Sequence, residues 1–157
     1  MKIEDLKGLM DGFDPASLLP ELENVLSLVT NVVRIAVMIG PVLLLAMGIA
    51  YLLLAPREAN YLFGYRCTFG MGSVEAWRFT QRLAGAIWTV MGLVMTGVMY
   101  SLTGKFAGQQ VTELLWLAVK YVLWEAGLAA VSCFVINTAV MIRFTYDGDY
   151  RRDRVGK

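Results

Sequence analysis

Three apolar runs, separated by polar segments, set the frame of this 157-residue chain. The first, Ile35 to Ala55, carries no charge. At about 1.5 Å per residue a helix of that length crosses a hydrocarbon core of about 30 Å. Gly40-Pro41 should bend it, because Pro41 removes one helical hydrogen bond. The second run, Ala84 to Leu102, is also uncharged, and the third reads most cleanly from Tyr121 to Ile142. Trp116, Tyr121 and Trp124 gather near the start of the third, as aromatic residues do at a membrane interface. The pattern predicts an all-α integral membrane protein with three transmembrane helices, spans about 35–55, 84–102 and 121–142.

Ahead of the first span, Ile3, Leu6, Leu9, Met10 and Phe13 share one helical face. This predicts an N-terminal amphipathic or interfacial helix. Pro20, followed by Glu21 and Glu23, is suited to open the next helix. Residues 20–55 read equally as one long helix or as two pieces. The chain is therefore divided into an N-terminal segment, 1–33, and a membrane domain, 34–157. In the second span, Gly85 with Thr89, Gly92 with Thr96 and Gly97 with Ser101 recur at four-residue spacing, which lets helices approach closely in lipid.

Composition sharpens this picture. Hydrophobic residues are 57% of the chain and charged residues 17%, with the charge concentrated between and beyond the apolar runs. The net charge of +1 gives no basic field for direct nucleic-acid binding. There is no histidine, which removes the commonest general base and metal ligand. Cys67 and Cys133 read as two unpaired thiols. No phosphate loop, zinc spacing or nucleophile elbow is present, so neither an enzyme nor a cofactor is expected.

Three spans place the first loop and the C-terminal tail on one side. That side holds Arg57, Arg66, Arg78, Arg82, Arg143, Arg151, Arg152, Arg154 and Lys157, nine basic residues against five on the other. Positive residues near span ends favour the cytoplasm. The expected topology has the N-terminus outside and the C-terminus in the cytoplasm.

Two polar residues lie inside the third run. Glu125 is a functional candidate because ionisable groups are costly in lipid. It also lies one turn inside Tyr121, where it could reach the interface and join Lys120 and Glu113 in a local charge cluster. Asn137 suits a hydrogen bond between helices. The loop between the first two spans is the remaining candidate. Gly64 permits a sharp turn, and Arg66 offers a five-donor fork. Trp77 suits an anchor at headgroup level, and Ser73 an N-cap with Glu75 in the first turn.

In order, Asn60, Phe63-Gly64-Tyr65-Arg66, Thr68, Glu75-Ala76-Trp77 and Gly85 resemble the signature of the SdpI family. In that family an Asn-to-Arg-Thr segment follows one membrane helix and a Trp precedes the next. Cys67 stands where the family usually has Thr after the Arg. The resemblance covers about 26 residues and implies partner-binding roles for Asn60, Gly64, Tyr65, Arg66, Thr68 and Trp77. It implies a multi-pass protein of the bacterial plasma membrane that protects the cell from a membrane-active peptide toxin. Some such proteins also sequester a cytoplasmic repressor at the membrane and so act in signalling. The expected partners are the lipid bilayer, a peptide toxin, a repressor or other membrane subunits, and a second copy in a homo-oligomer. Two rival readings are an accessory subunit of a larger membrane complex and a small transporter or channel. The last needs Glu125, Lys120 and Asn137 on one aqueous path.

Overall fold

The computed structural model describes residues 15–60 and 62–151. Within them the protein is three long helices, α1 (Pro15–Leu53), α2 (Val74–Thr103) and α3 (Val111–Arg143). No strand longer than a single bridge, Phe144 to Tyr150, occurs among the described residues. Each helix is long and apolar enough to cross a membrane, over Leu22–Leu53, Val74–Phe106 and Val111–Arg143. The expected all-α membrane fold is therefore found. The amphipathic helix expected over residues 1–13 lies outside the described residues.

Residues 20–53 form one continuous helix, which passes through both Pro20 and Pro41. It ends where Pro56 cannot donate and Ala55, preceding it, is steered away from helical angles. Ser73 caps α2 as expected: its hydroxyl accepts from Ala76 N at 3.1 Å, with Glu75 in the first turn. The helices overrun the charge-free windows at their ends, because helical hydrogen bonding does not stop where the hydrocarbon does. The apolar slab is better marked by bracketing basic residues. Arg34 and Arg57, Arg82 and Lys105, and Lys120 and Arg143 are each 23 positions apart. For the second and third pairs that corresponds to about 34 Å of helix, just over the hydrocarbon thickness, while Arg57 lies four residues beyond the end of α1.

Two clusters show the antiparallel packing. At one end Val37 of α1, Met99 and Phe106 after it, and Leu114 and Ala118 of α3 come together. At the other, Tyr51 meets Ala76 and Ala84 of α2 and Ile136 and Val140 of α3. The large exposed residues are Leu, Val, Ile and Phe facing outward along all three helices. In lipid these contribute little to association, so small residues that let backbones approach decide the packing.

The small-residue stripe of α2 finds its partner inside the chain. A Cβ on Gly92 would meet the backbone of Leu45, and one on Gly48 of α1 would meet the backbone of Trp88 and Thr89. Gly85 lies over Leu52 and the Gly48 carbonyl. Gly97 has nothing within 4 Å, so the stripe's last step faces away from this contact. α1 and α2 accordingly share the most extensive interface, and α3 lies against both over less of its surface.

Candidate functional site

The loop between α1 and α2 folds back on the bundle instead of spreading over lipid. Asn60 starts it: its side-chain oxygen accepts from Leu62 N and Phe63 N, each at 3.0 Å, an Asx turn. Gly64 follows at φ 125°, a region that side chains rarely adopt. Its missing side chain makes room for Trp77, since a Cβ there would stand 2.7 Å from the indole. Trp77 is fully buried, and its Nε1 donates to Pro56 O at 2.9 Å. The expectation of a headgroup anchor is therefore replaced. The indole has a protein carbonyl to bond and a glycine face to pack on, and needs neither from lipid.

Tyr65 is clamped at its backbone. Gln81 Oε1 accepts from Tyr65 N at 2.8 Å, and Gln81 Nε2 donates to Tyr65 O at 2.7 Å. The loop thereby gains two hydrogen bonds of the kind a strand would give it. The Tyr65 hydroxyl reaches α3, where Asn137 Oδ1 lies at 3.0 Å and Cys133 O at 3.3 Å. Burial pushes the Tyr65 hydroxyl well above its usual pKa, with Cys133 adding to the rise, so it remains a donor at neutral pH. Its ring meets Trp88 edge-on at 5.4 Å, and Trp88 Nε1 donates to Ser132 Oγ at 3.0 Å. Asn137 thus serves between loop and helix, where its placement in a span suggested a bond between two helices. Burial also raises the Cys67 thiol pKa, leaving it protonated beside Gly70 and Thr80.

Arg66 and Thr68 differ from these neighbours. Both are exposed. They line a cleft of ≈ 420 Å³ against α3, with Phe69, Phe134, Asn137 and Met141 among its walls. Arg66 makes no hydrogen bond or ion pair among the described residues. The motif therefore divides by role: Asn60, Gly64 and Trp77 build the turn, Tyr65 ties it to α3, and Arg66 and Thr68 are presented outward. Gln81 was not singled out in the sequence. Its only signal is a polar residue one turn beyond Trp77 on a face that is otherwise buried.

The first loop and the segment after α3 share one end of the bundle, as three spans require. Ser73 Oγ donates to Gly148 O at 2.9 Å, and Phe69 meets Tyr146 edge-on at 6.3 Å.

Glu125 lies in the other half of the bundle. It is buried, Oε1 has no hydrogen-bond partner, and Oε2 would stand 2.6 Å from a Cβ on Gly40. Its carboxyl points into the protein, toward α1. Lys120 lies over the Trp116 ring at 5.5 Å, so the charge cluster drawn from sequence spacing is replaced by a carboxyl packed on a glycine. Rotation explains this: five positions separate Lys120 from Glu125, which turns them to different faces. Asn137 belongs to the loop's end of α3, away from Glu125 and Lys120. An unpaired buried charge is costly, so Glu125→Gln should melt at the same temperature as the parent or higher. Glu125→Lys, which adds length and keeps a charge, should not yield a monodisperse protein. A large loss of stability in Glu125→Gln, measured by thermal denaturation in mild detergent, would show that the ionised form is needed for the fold.

With this geometry in place, comparison with known proteins is decisive at one level. The SdpI/YfhL protein family model matches residues 57–143, more than half of the chain. The chain belongs to this family. The matched region takes in the motif loop, α2 and all of α3, and leaves out α1 and the segment after α3. No curated protein and no solved structure matched.

Proposed function

We propose that this SdpI-family protein acts in immunity or signalling, protecting a bacterial cell from a membrane-active peptide and reporting its presence through the motif loop. One observation carries the reading: the family motif assembles into a hydrogen-bonded scaffold that presents Arg66, without a hydrogen bond or ion pair among the described residues, along a cleft. A structural loop would use its arginine internally. A recognition loop keeps it for a partner's carboxylate or carbonyl groups.

The peptide's place is the groove between α2 and α3, a cavity of ≈ 610 Å³ lined by Ile87, Val90, Met91, Met95 and Leu128 among others. Unbranched methionines adapt to varied apolar shapes. Occupancy there would bear on α3, and Tyr65 couples α3 to the loop through its hydroxyl. The basic bias at the loop's end supports a plasma-membrane protein with loop and tail in the cytoplasm, where a repressor could dock. The accessory-subunit reading loses its main motive, because most of the small-residue stripe is used within the chain.

The test is protection of toxin-sensitive cells expressing the protein. Arg66→Ala should remain in the membrane at parental level and lose protection, because the guanidinium makes no hydrogen bond or ion pair among the described residues. Undiminished protection by a fully expressed Arg66→Ala protein would remove the loop from the mechanism.

A further inference from the structure

We propose that the cleft between the end of α1 and the start of α2 binds the headgroup of an anionic phospholipid, held by Arg57, Arg78 and Arg82. The cleft measures ≈ 400 Å³ and is lined by these three arginines together with Tyr51, Leu52 and Gln81, among others. It shares no lining residue with the cleft of Arg66, and the proposal does not depend on the immunity reading.

The three guanidinia converge for structural reasons. Arg78 and Arg82 are one turn apart on the same face of α2. Arg57 comes from the chain beyond α1, and the bond from Trp77 Nε1 to Pro56 O fixes its neighbour against α2. No acidic residue lines the cleft. Among the described residues none of the three guanidinia has a hydrogen bond or ion pair, although Glu58 and Glu75 are close in sequence. Three other arginines are engaged. Arg34 lies over Tyr100, Arg143 over Phe79 and Tyr150, and Arg151 donates to Phe144 O. Three like charges left together without a counter-charge repel one another, and an anion between them removes that cost.

The chemistry of the walls narrows the anion. Gln81 spends its amide on Tyr65 at both ends, so the polar capacity of the cleft is almost wholly guanidinium donors. Such a site fits an acceptor-only group, and phosphate matches the guanidinium fork. The remaining walls are apolar. Leu52 is 45% exposed, and Leu53 and Leu54 beside it are 76% and 70% exposed. A free phosphate would leave this strip unused, whereas a lipid lays its acyl chains along it with the phosphate at the end of the span. Basic pockets between helices at a membrane surface bind anionic headgroups in this way.

The test uses the full protein in mild detergent, titrated with phosphatidylglycerol, phosphatidylcholine or inorganic phosphate. Lipid retention is read by native mass spectrometry and stabilisation by thermal melting. Phosphatidylglycerol should bind and stabilise, while phosphatidylcholine and inorganic phosphate should do neither. The triple variant R57Q/R78Q/R82Q should lose affinity by roughly five-fold per guanidinium, on the order of a hundred-fold in all. Arg151→Gln, a basic residue at the same end, should bind as the parent does. Should loss of Arg57 disturb the loop, the pair R78Q/R82Q on the exposed face of α2 gives the same reading with a smaller loss. Equal stabilisation by inorganic phosphate would assign the cleft to a soluble anion. Equal retention of phosphatidylcholine, or an unchanged triple variant, would reduce the bound lipid to ordinary solvation of the helices. Any of these three results overturns the proposal.

Discussion

Gly48→Leu is expected to prevent α1 and α2 from closing and to leave little monodisperse protein. The position has no room for even one carbon. A Cβ would meet Thr89 N and stand 2.7 Å from both Thr89 Oγ1 and the Trp88 carbonyl carbon. Those atoms belong to the opposing backbone or to a β-branched side chain, so no rotamer change can relieve the contact. Ordinary overpacking costs about 1–3 kcal/mol, and an obstruction by helix backbone should reach or pass the top of that range. The two helices would have to separate along the stripe that also contains Gly85 and Gly92. In a membrane nothing compensates, because lipid solvates the exposed faces as well as the partner helix does. Gly97→Leu is the internal control. It makes the same chemical change on α2, the other helix of the pair, has no neighbour within 4 Å, and also replaces a helix-weakening glycine. Size-exclusion chromatography and thermal melting of the two variants check this. A Gly48→Leu protein as monodisperse and as stable as Gly97→Leu would mean that α1 does not cross α2 at this point.

The second large effect is expected at Trp77. Trp77→Ala should release the loop over residues 54–73 while leaving the three helices in the membrane. The side chain is fully buried, and truncation of a buried aromatic costs about 3–5 kcal/mol. More specifically, it removes the surface on which Gly64 rests and the donor that holds Pro56. Trp77→Phe separates these contributions. It keeps most of the packing and leaves the Pro56 carbonyl without this partner, a loss of about 1–3 kcal/mol. Limited trypsin digestion reads the result directly, because Arg57 and Arg66 lie in the affected segment. Cleavage after Arg66 should be slow in the parent, faster in Trp77→Phe and fastest in Trp77→Ala. Equal protection of all three would show that the loop is held by the Gln81 clamp alone. Loss of protection against toxin in Trp77→Ala would follow from misplacement of Arg66, and would differ from Arg66→Ala in being accompanied by this release.

The two variants act on different halves of one assembly. Gly48 sets how closely α1 and α2 approach, and that approach positions Trp77 and Gln81 to receive the loop. Tyr65 then carries the loop's position to α3 through Asn137 and Cys133. A change in how α3 lies against its neighbours therefore reaches the residue directly before Arg66.

Much of this was legible in the chain itself. The three spans follow from the length of the apolar runs, a one-dimensional property: a helix that satisfies its own backbone needs little more than apolar side chains to cross lipid. The cap at Ser73, the polar bridge at Asn137 and the family motif are likewise local patterns. Their meaning depends on residues close in sequence or on a membrane that treats every helix alike. What the tertiary structure decided are matters of which faces meet. Sequence spacing grouped Glu125 with Lys120, but helix rotation turned Glu125 toward Gly40 on another helix. Trp77 read as a lipid anchor because nothing in its neighbourhood announces Gly64 and Pro56 as its partners. Gln81 carries no sequence signal for its role, a bond to a loop residue 16 positions away. The small-residue stripe said that something approaches closely, and only the packed bundle shows that α1 does so at Gly85 and Gly92 while Gly97 remains open. In lipid the hydrophobic pattern places a helix in the membrane without selecting its neighbours. Selection is left to steric fit and a few hydrogen bonds between residues far apart in the chain, and these exist only once the helices have packed.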